Sequence, residues 1–152
     1  MKPSTNIVIF VILISGLLIL KYLLMSENKN GFDPNEGILY TLSKGVTNIE
    51  DMLTGINSLT SNKLLPRNLK ILEDAQDAIA TFSAKELNII IQKLEEVLIV
   101  YDSIKHAVVH KNPKNTALSM LIGMRVNNPK YSLATFSTIE AAKEWVLSNK
   151  PT

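Results

Sequence analysis

The chain has 152 residues, enough for one ordinary domain and too few for two of comfortable size. Hydrophobic residues make up 46%, which excludes a disordered chain, and the lack of cysteine excludes a disulfide scaffold, thiolate zinc sites and a cysteine nucleophile. The 16 basic and 14 acidic residues give a net charge of +2, which is too small to indicate a nucleic-acid-binding protein.

The first 25 residues are far more hydrophobic than the rest. The 19 residues from Ile7 to Met25 contain one charge, Lys21, and at about 1.5 Å per residue such a helix matches the hydrocarbon core of a bilayer. We expect residues 1–25 to form a signal-anchor helix and to make this a single-pass membrane protein. The flanking charges are too few to fix the orientation, and we expect the domain on the cytoplasmic side. Two alternatives stay open: a cleaved secretory signal, and a cytoplasmic protein whose translation begins at Met25.

A polar stretch follows the hydrophobic segment. Residues 26–36 are interrupted by Gly31 and Pro34, a composition typical of a linker. We therefore expect a single domain to occupy residues 37–149.

Strand and helix patterns alternate along that domain. β-forming runs bounded by turns predict the strands, and apolar residues at helical spacing after capping boxes predict the helices. In chain order the predicted elements are a strand at Ile38–Leu42, a helix opened by Thr47 and Glu50, a strand at Leu69–Leu72 that ends at Glu73 and Asp74, a helix from Ser83 and Glu86 to Tyr101, a strand at His106–His110, a helix at Thr116–Val126, a strand at Tyr131–Phe136 and a helix opened by Ser137 and Glu140. Strands joined through helices predict an α/β fold, with a small, mostly parallel sheet of about four strands, helices packed against it, and one N-terminal hydrophobic helix ahead of it.

Four segments of the domain together resemble the STAS/SEC14-like proteins, bacterial relatives of the anti-sigma-factor antagonists. The segments are Ser43–Thr47, Leu69–Ala75, His106–Val109 and Phe136–Val146. The resemblance covers residues 37–149 and implies a small α/β domain with a mixed sheet that serves as a non-catalytic interaction or ligand-sensing module. Some antagonists of this family are switched by phosphorylation of a serine directly after an aspartate. Here Asp74 is followed by alanine, so that switch is not carried over.

The residues that could carry chemistry do not assemble into a catalytic or metal-binding set. His106 and His110 share a strand face, but residues four apart on a strand are about 13 Å apart, too far to share one ion. Glu73, Asp74 and Asp77 are carboxylates without a predictable base beside them. We therefore expect no enzyme activity, no metal and no cofactor.

The loop after the third predicted strand is the better candidate for a binding surface. In a parallel sheet it lies at the carboxyl edge, where open α/β sheets bind ligands, and its two lysines precede helix N–H groups that favour an anion. The candidate partner- or anion-binding residues at this edge are Asp74, Asp77, His110, Lys111, Lys114, Asn115 and Thr116. A solvated loop with a helix cap is the alternative.

Three functional hypotheses follow. The first is a non-catalytic, membrane-tethered module that binds a partner protein, with residues 7–25 holding it in the bilayer. The second is a module that binds or senses a small apolar or lipid-like ligand, which the SEC14-like resemblance and the leucine- and isoleucine-rich second helix favour. The third is a hydrolase that uses Asp74 and Asp77, for which no convergent base is found. Apolar residues left uncovered on the second helix also allow a homodimer, and no nucleic-acid partner is expected.

Overall fold

The computed structural model describes residues 31–149. The signal-anchor helix predicted at residues 1–25 lies outside the described residues, as do residues 26–30 of the predicted linker. Within residues 31–149, none of the helices combines the length and apolarity that crossing a bilayer requires.

The domain is an α/β structure built on one five-stranded sheet. The strands are β1 (Gly31–Asp33), β2 (Ile38–Thr47), β3 (Asn68–Ala80), β4 (Ser103–Val109) and β5 (Tyr131–Phe136), and the helices are α1 (Ile49–Ser61), α2 (Leu87–Val97), α3 (Pro113–Arg125) and α4 (Ile139–Leu147). The strands lie in the order β1-β2-β3-β4-β5, with β1 antiparallel to β2 and every other pair parallel. The α/β class, the alternation of elements and the mostly parallel sheet are confirmed, and the sheet has one strand more than the expected four.

The additional strand comes from residues that the sequence assigned to a linker. Gly31–Asp33 pairs with Ile38–Tyr40, and the turn between them is closed by the bond from the Gly37 amide to the Asp33 carbonyl. Gly31 and Gly37 have positive φ angles, which glycine adopts without a steric penalty. The hairpin therefore uses the residues that made the segment look like a linker.

The helices divide between the two faces of the sheet. Helices α1, α2 and α3 cover the first face, where Ile56, Ile90 and Leu118 pack with strand residues such as Ile71 and Ile104 in one buried cluster. Helix α4 covers the second face through a smaller cluster of buried and partly buried side chains. Its members include Ala142, Trp145 and Val146 from α4, with Ile38, Tyr40, Leu72, Ala107 and Val109 from the strands. Alternate residues of each strand thus enter different cores.

Two strands are much longer than their sequence predicts. The predictions of Ile38–Leu42 and Leu69–Leu72 are too short, and Glu73 and Asp74 lie within β3. Beyond Leu42 the two strands continue side by side past an irregularity, since Leu42 pairs with Asp74 and Lys44 with Asp77. The polar residues that seemed to end the strand are tolerated because they bond to neighbouring strands or face solvent.

The remaining boundaries shift by a few residues. The strand predicted at His106–His110 is Ser103–Val109, and the helix predicted at Thr116–Val126 is Pro113–Arg125, capped by Asn112. Helix α2 is shorter than predicted at both ends, although the Ser83 amide and hydroxyl do donate to the Glu86 carboxylate as the capping box implies. The strand Tyr131–Phe136 is confirmed as predicted.

The caps of α1 and α4 each lie one residue later than predicted. Asn48 and Asp51 form a reciprocal capping box at α1, and Thr138 accepts a hydrogen bond from the Ala141 amide at α4. Thr47 does not cap α1 because it is still part of β2, where its carbonyl accepts a hydrogen bond from the Thr81 amide.

Candidate functional site

Four polar side chains form a continuous row across the first face of the sheet, one from each parallel strand. Ser43 Oγ donates to Glu73 Oε1 at 2.7 Å. His106 Nε2 lies 3.1 Å from the other oxygen, Glu73 Oε2, and its Nδ1 lies 3.1 Å from the hydroxyl of Tyr131. We call Ser43, Glu73, His106 and Tyr131 the polar row. Each lies at an inward position of its strand, so the sheet's own register brings them together.

The surroundings keep one acidic member of the row, Glu73, ionised and the other, Tyr131, neutral. Burial on its own raises the pKa of Glu73, but hydrogen bonds from His106 and Ser43, with the charge of the imidazoles, outweigh it and bring the pKa below 4.5. Burial, followed by the nearby Glu73 carboxylate, raises the pKa of the Tyr131 phenol far above its ordinary value. At neutral pH the row therefore contains a carboxylate and an un-ionised phenol.

The polar row lies where two spaces meet beneath the helices. The first, the inner cavity, has a volume of about 80 Å³ and lies between the sheet and helices α2 and α3. The second, the outer cleft, has a volume of about 730 Å³ and lies between α1 and strands β2 and β3. All four members of the row line both spaces, together with the apolar residues Met52, Ile56 and Leu94. The row is thus the polar floor of a mostly apolar recess.

Small side chains on β3 leave the inner cavity open. Ala75 and Ala78 are both buried and both line it, because the irregularity in β3 returns the two alanines to the same face. Beyond Asp74, β3 has no pairing with β4, whose last partner there is Val109. A larger residue at either alanine position would occupy the space that the cavity now has.

Asn115 of α3 supplies the hydrogen bonds that β4 does not. This buried side chain donates from Nδ2 to the Ala78 carbonyl at 2.9 Å and accepts from the Ala80 amide at 3.3 Å. Lys114 Nζ donates to the Ala80 carbonyl at 2.9 Å. Adjacent residues of α3 therefore satisfy the edge of β3 and anchor the helix over the cavity.

His110 is the one predicted surface residue that turns toward the cavity and leaves a polar atom unsatisfied there. Its Nε2 lies 2.8 Å from Ser119 Oγ, while Nδ1 is buried without a hydrogen-bond partner, the Ala75 backbone being near but not in full bonding geometry. Burial lowers the pKa of His110 below 6.5, against the opposing effect of the Glu73 charge. At neutral pH this imidazole is therefore uncharged.

The residues predicted as one binding surface are divided by the structure. His110 and Asn115 line the inner cavity, whereas Asp77 and Lys111 are exposed and form a loose ion pair at 3.9 Å. Asp74 is half-buried and accepts hydrogen bonds from Gln76. Lys114 and Thr116 are engaged in bonds that belong to α3 and its contact with β3. The exposed residues of the predicted surface are thus Asp77, Lys111 and Lys114.

Sequence reasoning missed the polar row. The sequence pattern ends one predicted strand at Glu73 and another at Leu42, just before Ser43, so it does not predict that either residue faces His106. The signal that was present is one polar residue at an inward position in each of four successive strands. Such a set becomes meaningful only when the register between the strands is known.

Every polar member of the row has a hydrogen-bonding partner within the row. Ser43 and His106 bond to opposite oxygens of the Glu73 carboxylate, so the serine is paired with the carboxylate and not with the imidazole. Within the described part of the chain no three His, Cys, Asp or Glu side chains are grouped to hold a metal ion. The arrangement presents a fixed set of hydrogen-bonding atoms to whatever enters the cleft.

Comparisons of the chain with protein-family models, with curated proteins and with solved structures found no match.

Proposed function

We propose that this domain is a non-catalytic binding module whose outer cleft takes a small, mostly apolar ligand. The observation that carries the proposal is the position of the polar row, whose buried and half-buried side chains lie at the junction of the outer cleft and the inner cavity. Small-molecule sites are typically concave and mostly apolar, with a few convergent polar groups and perturbed pKa values. The outer cleft has each of these properties.

The size and rigidity of the recess support a ligand of modest size. A volume of about 730 Å³ falls within the range of known ligand pockets, roughly 300–1,000 Å³. The hydrogen bonds that join Ser43, Glu73, His106 and Tyr131 fix the floor before a ligand arrives, which lowers the ordering cost of binding.

Native mass spectrometry of the full chain, purified gently from cells, tests the proposal. The wild type should carry a non-covalent small-molecule mass. Gly55→Trp should lose it, because Gly55 lines the outer cleft and a Cβ there meets no heavy atom within 4 Å, so the indole can enter the cleft without disturbing α1. Thr54→Trp is the matched control, since Thr54 is exposed on the same helix and does not line the cleft.

Two results would contradict the proposal. A clean apo mass for wild type and both variants would mean that no ligand is retained. An equal bound mass on Gly55→Trp and wild type would mean that the ligand binds elsewhere, for example on the hydrophobic N-terminal segment.

A partner-binding role for the carboxyl edge of the sheet is the second candidate. Val46 and Ile79 are register neighbours on β2 and β3, and their exposed fractions are 68% and 54%. The charged residues Asp77 and Lys111 lie at the same end of the sheet. A pull-down from membranes compared with Lys111→Glu tests this role, and unchanged partner recovery would argue against it.

We also propose the finer assignments that the sequence suggested: a STAS/SEC14-like family and a membrane tether. The mixed sheet with an initial antiparallel pair supports the family assignment, because the resemblance implies such a sheet. The apolar run at residues 7–25 supports the tether. Fractionation and the intact mass of the native protein test whether that run is retained and holds the domain at a membrane.

A further inference from the structure

Hydrogen-bond accounting along the polar row leaves an excess of acceptors. A carboxylate accepts hydrogen bonds at about four lone-pair sites, and Glu73 receives one bond on each oxygen, from Ser43 and His106. The Ser43 hydroxyl gives its proton to Glu73 and retains its own acceptor lone pairs. Both ring nitrogens of His106 are already engaged. What the row still offers to a ligand is therefore acceptor capacity centred on Glu73.

Charge on the walls of the recess points the same way. Glu73 is ionised at neutral pH and lies 3.1 Å from the imidazole of His106, and the other lining neighbours His110 and Tyr131 are uncharged there because burial disfavours their charged forms. At the mouth of the outer cleft, Lys44 and Asp51 carry opposite charges. The mouth thus has no charge excess to attract an anion, and the floor presents a carboxylate.

We infer that the ligand of the outer cleft is an amphiphile whose head is a hydrogen-bond donor, a hydroxyl or an ammonium group, that binds Glu73. Its apolar tail lies along Met52, Ile56 and Leu94. An aliphatic carboxylate of the same length is rejected, because its head would meet a second carboxylate in a partly desolvated site. This inference rests on the proposed function, since it describes the ligand of the same cleft.

Competition for a photoreactive ligand tests the choice of head group. The probe is a decanol that carries a diazirine in its tail, added to membranes containing the full chain, with cross-linked peptides mapped by mass spectrometry. Cross-links are expected on peptides that contain Met52, Ile56 or Leu94. Unlabelled decanol and decylamine should each compete at concentrations at least about tenfold lower than decanoate. Whether decanol or decylamine competes more strongly shows whether the preferred head group is neutral or cationic.

Two variants locate the source of the discrimination. Glu73→Gln removes the charge with little change of shape, and the preference against decanoate should fall to less than about threefold. Glu50→Gln is the control, because it removes an acidic charge from an exposed residue of α1 that does not line the cleft, and it should leave the preference intact. If Glu73→Gln folds poorly, the competition experiments with the wild-type chain still test the inference on their own.

The outcomes separate this inference from the proposed function. Decanoate competing with the wild type as well as decanol would overturn the inference, while cleft labelling would leave the proposed function standing. Labelling that never reaches the cleft peptides would overturn both.

Discussion

Asn115 hydrogen-bonds to the backbone at the end of β3, where β4 no longer pairs with that strand. Replacing Asn115 tests how much these bonds stabilise the domain. Asn115→Leu keeps the approximate shape of the side chain and removes both hydrogen bonds to the β3 backbone. The Ala78 carbonyl and the Ala80 amide, both in buried residues, would then have no partner on that side.

The magnitude follows from the two bonds and the change in side chain. A buried backbone group left without a partner costs about 1–3 kcal/mol. The bond to the Ala78 carbonyl, at 2.9 Å, lies toward the upper part of that range, and the bond from the Ala80 amide, at 3.3 Å, toward the lower part. Together they amount to about 3–4 kcal/mol, and burial of the apolar leucine offsets about 1–2 kcal/mol. The free energy of unfolding should therefore fall by about 2 kcal/mol.

Urea denaturation followed by far-ultraviolet circular dichroism measures this loss, and hydrogen exchange of the Ala80 amide should become faster. Thr116→Val, on the next residue of the same helix, is the matched control. It removes a bond to the Asn112 carbonyl within the first turn of α3 and should cost less than about 1 kcal/mol. A loss below about 0.5 kcal/mol for Asn115→Leu, with unchanged exchange at Ala80, would refute the reasoning.

Three further changes test separate parts of the domain. Burial, the largest effect, holds the pKa of His110 below 6.5, so the unfolded chain binds a proton at this imidazole more readily than the folded chain does. The contribution of His110 to the free energy of unfolding is therefore complete above pH 6.5 and is lost as the pH falls. His110→Gln should flatten this fall in urea titrations made above pH 4.5, where the lowered pKa of Glu73 does not yet affect stability. Tyr101→Phe removes the hydrogen bond to the Leu59 carbonyl at the end of α1 and should lower the free energy of unfolding by about 1 kcal/mol in the same assay. Gly55→Ala should raise it by about 0.5–1 kcal/mol, because the added methyl meets no neighbour and a helix interior favours alanine over glycine; a destabilised variant would contradict the open space described there.

The fold class was predictable because each helix and strand must place apolar residues on its buried face, and this gives the sequence a recognisable helical or strand spacing. Tyr131–Phe136 was identified to the residue, since its β-forming side chains are flanked by a turn and a helix cap. The extension of β3 was not predictable in the same way. Its polar residues and small alanines do not resemble a buried strand, and only the partners on β2 and α3 stabilise it as one.

The candidate site was only partly predictable, for the same reason. His106 and His110 were singled out, and the structure gives them different partners: His106 bonds to Glu73 and Tyr131, and His110 bonds to Ser119. What the sequence could not provide is the lateral register that brings Glu73 beside His106 and Ser43 beside Glu73. Tertiary pairing between distant segments decides whether such a carboxylate faces solvent or the interior.

The spatial order of the strands repeats their order along the chain, and this has a consequence for biosynthesis. Each strand that leaves the ribosome finds its partner already synthesised, so the sheet can grow by addition at one edge as translation proceeds. Helix α4 is the exception, because it is made last and reaches back to cover β3 and β4. A nascent chain that ends before Ile139 would leave Leu72, Ala107 and Val109 open to water, so the synthesis of α4 determines when the growing protein stops being a target for chaperones.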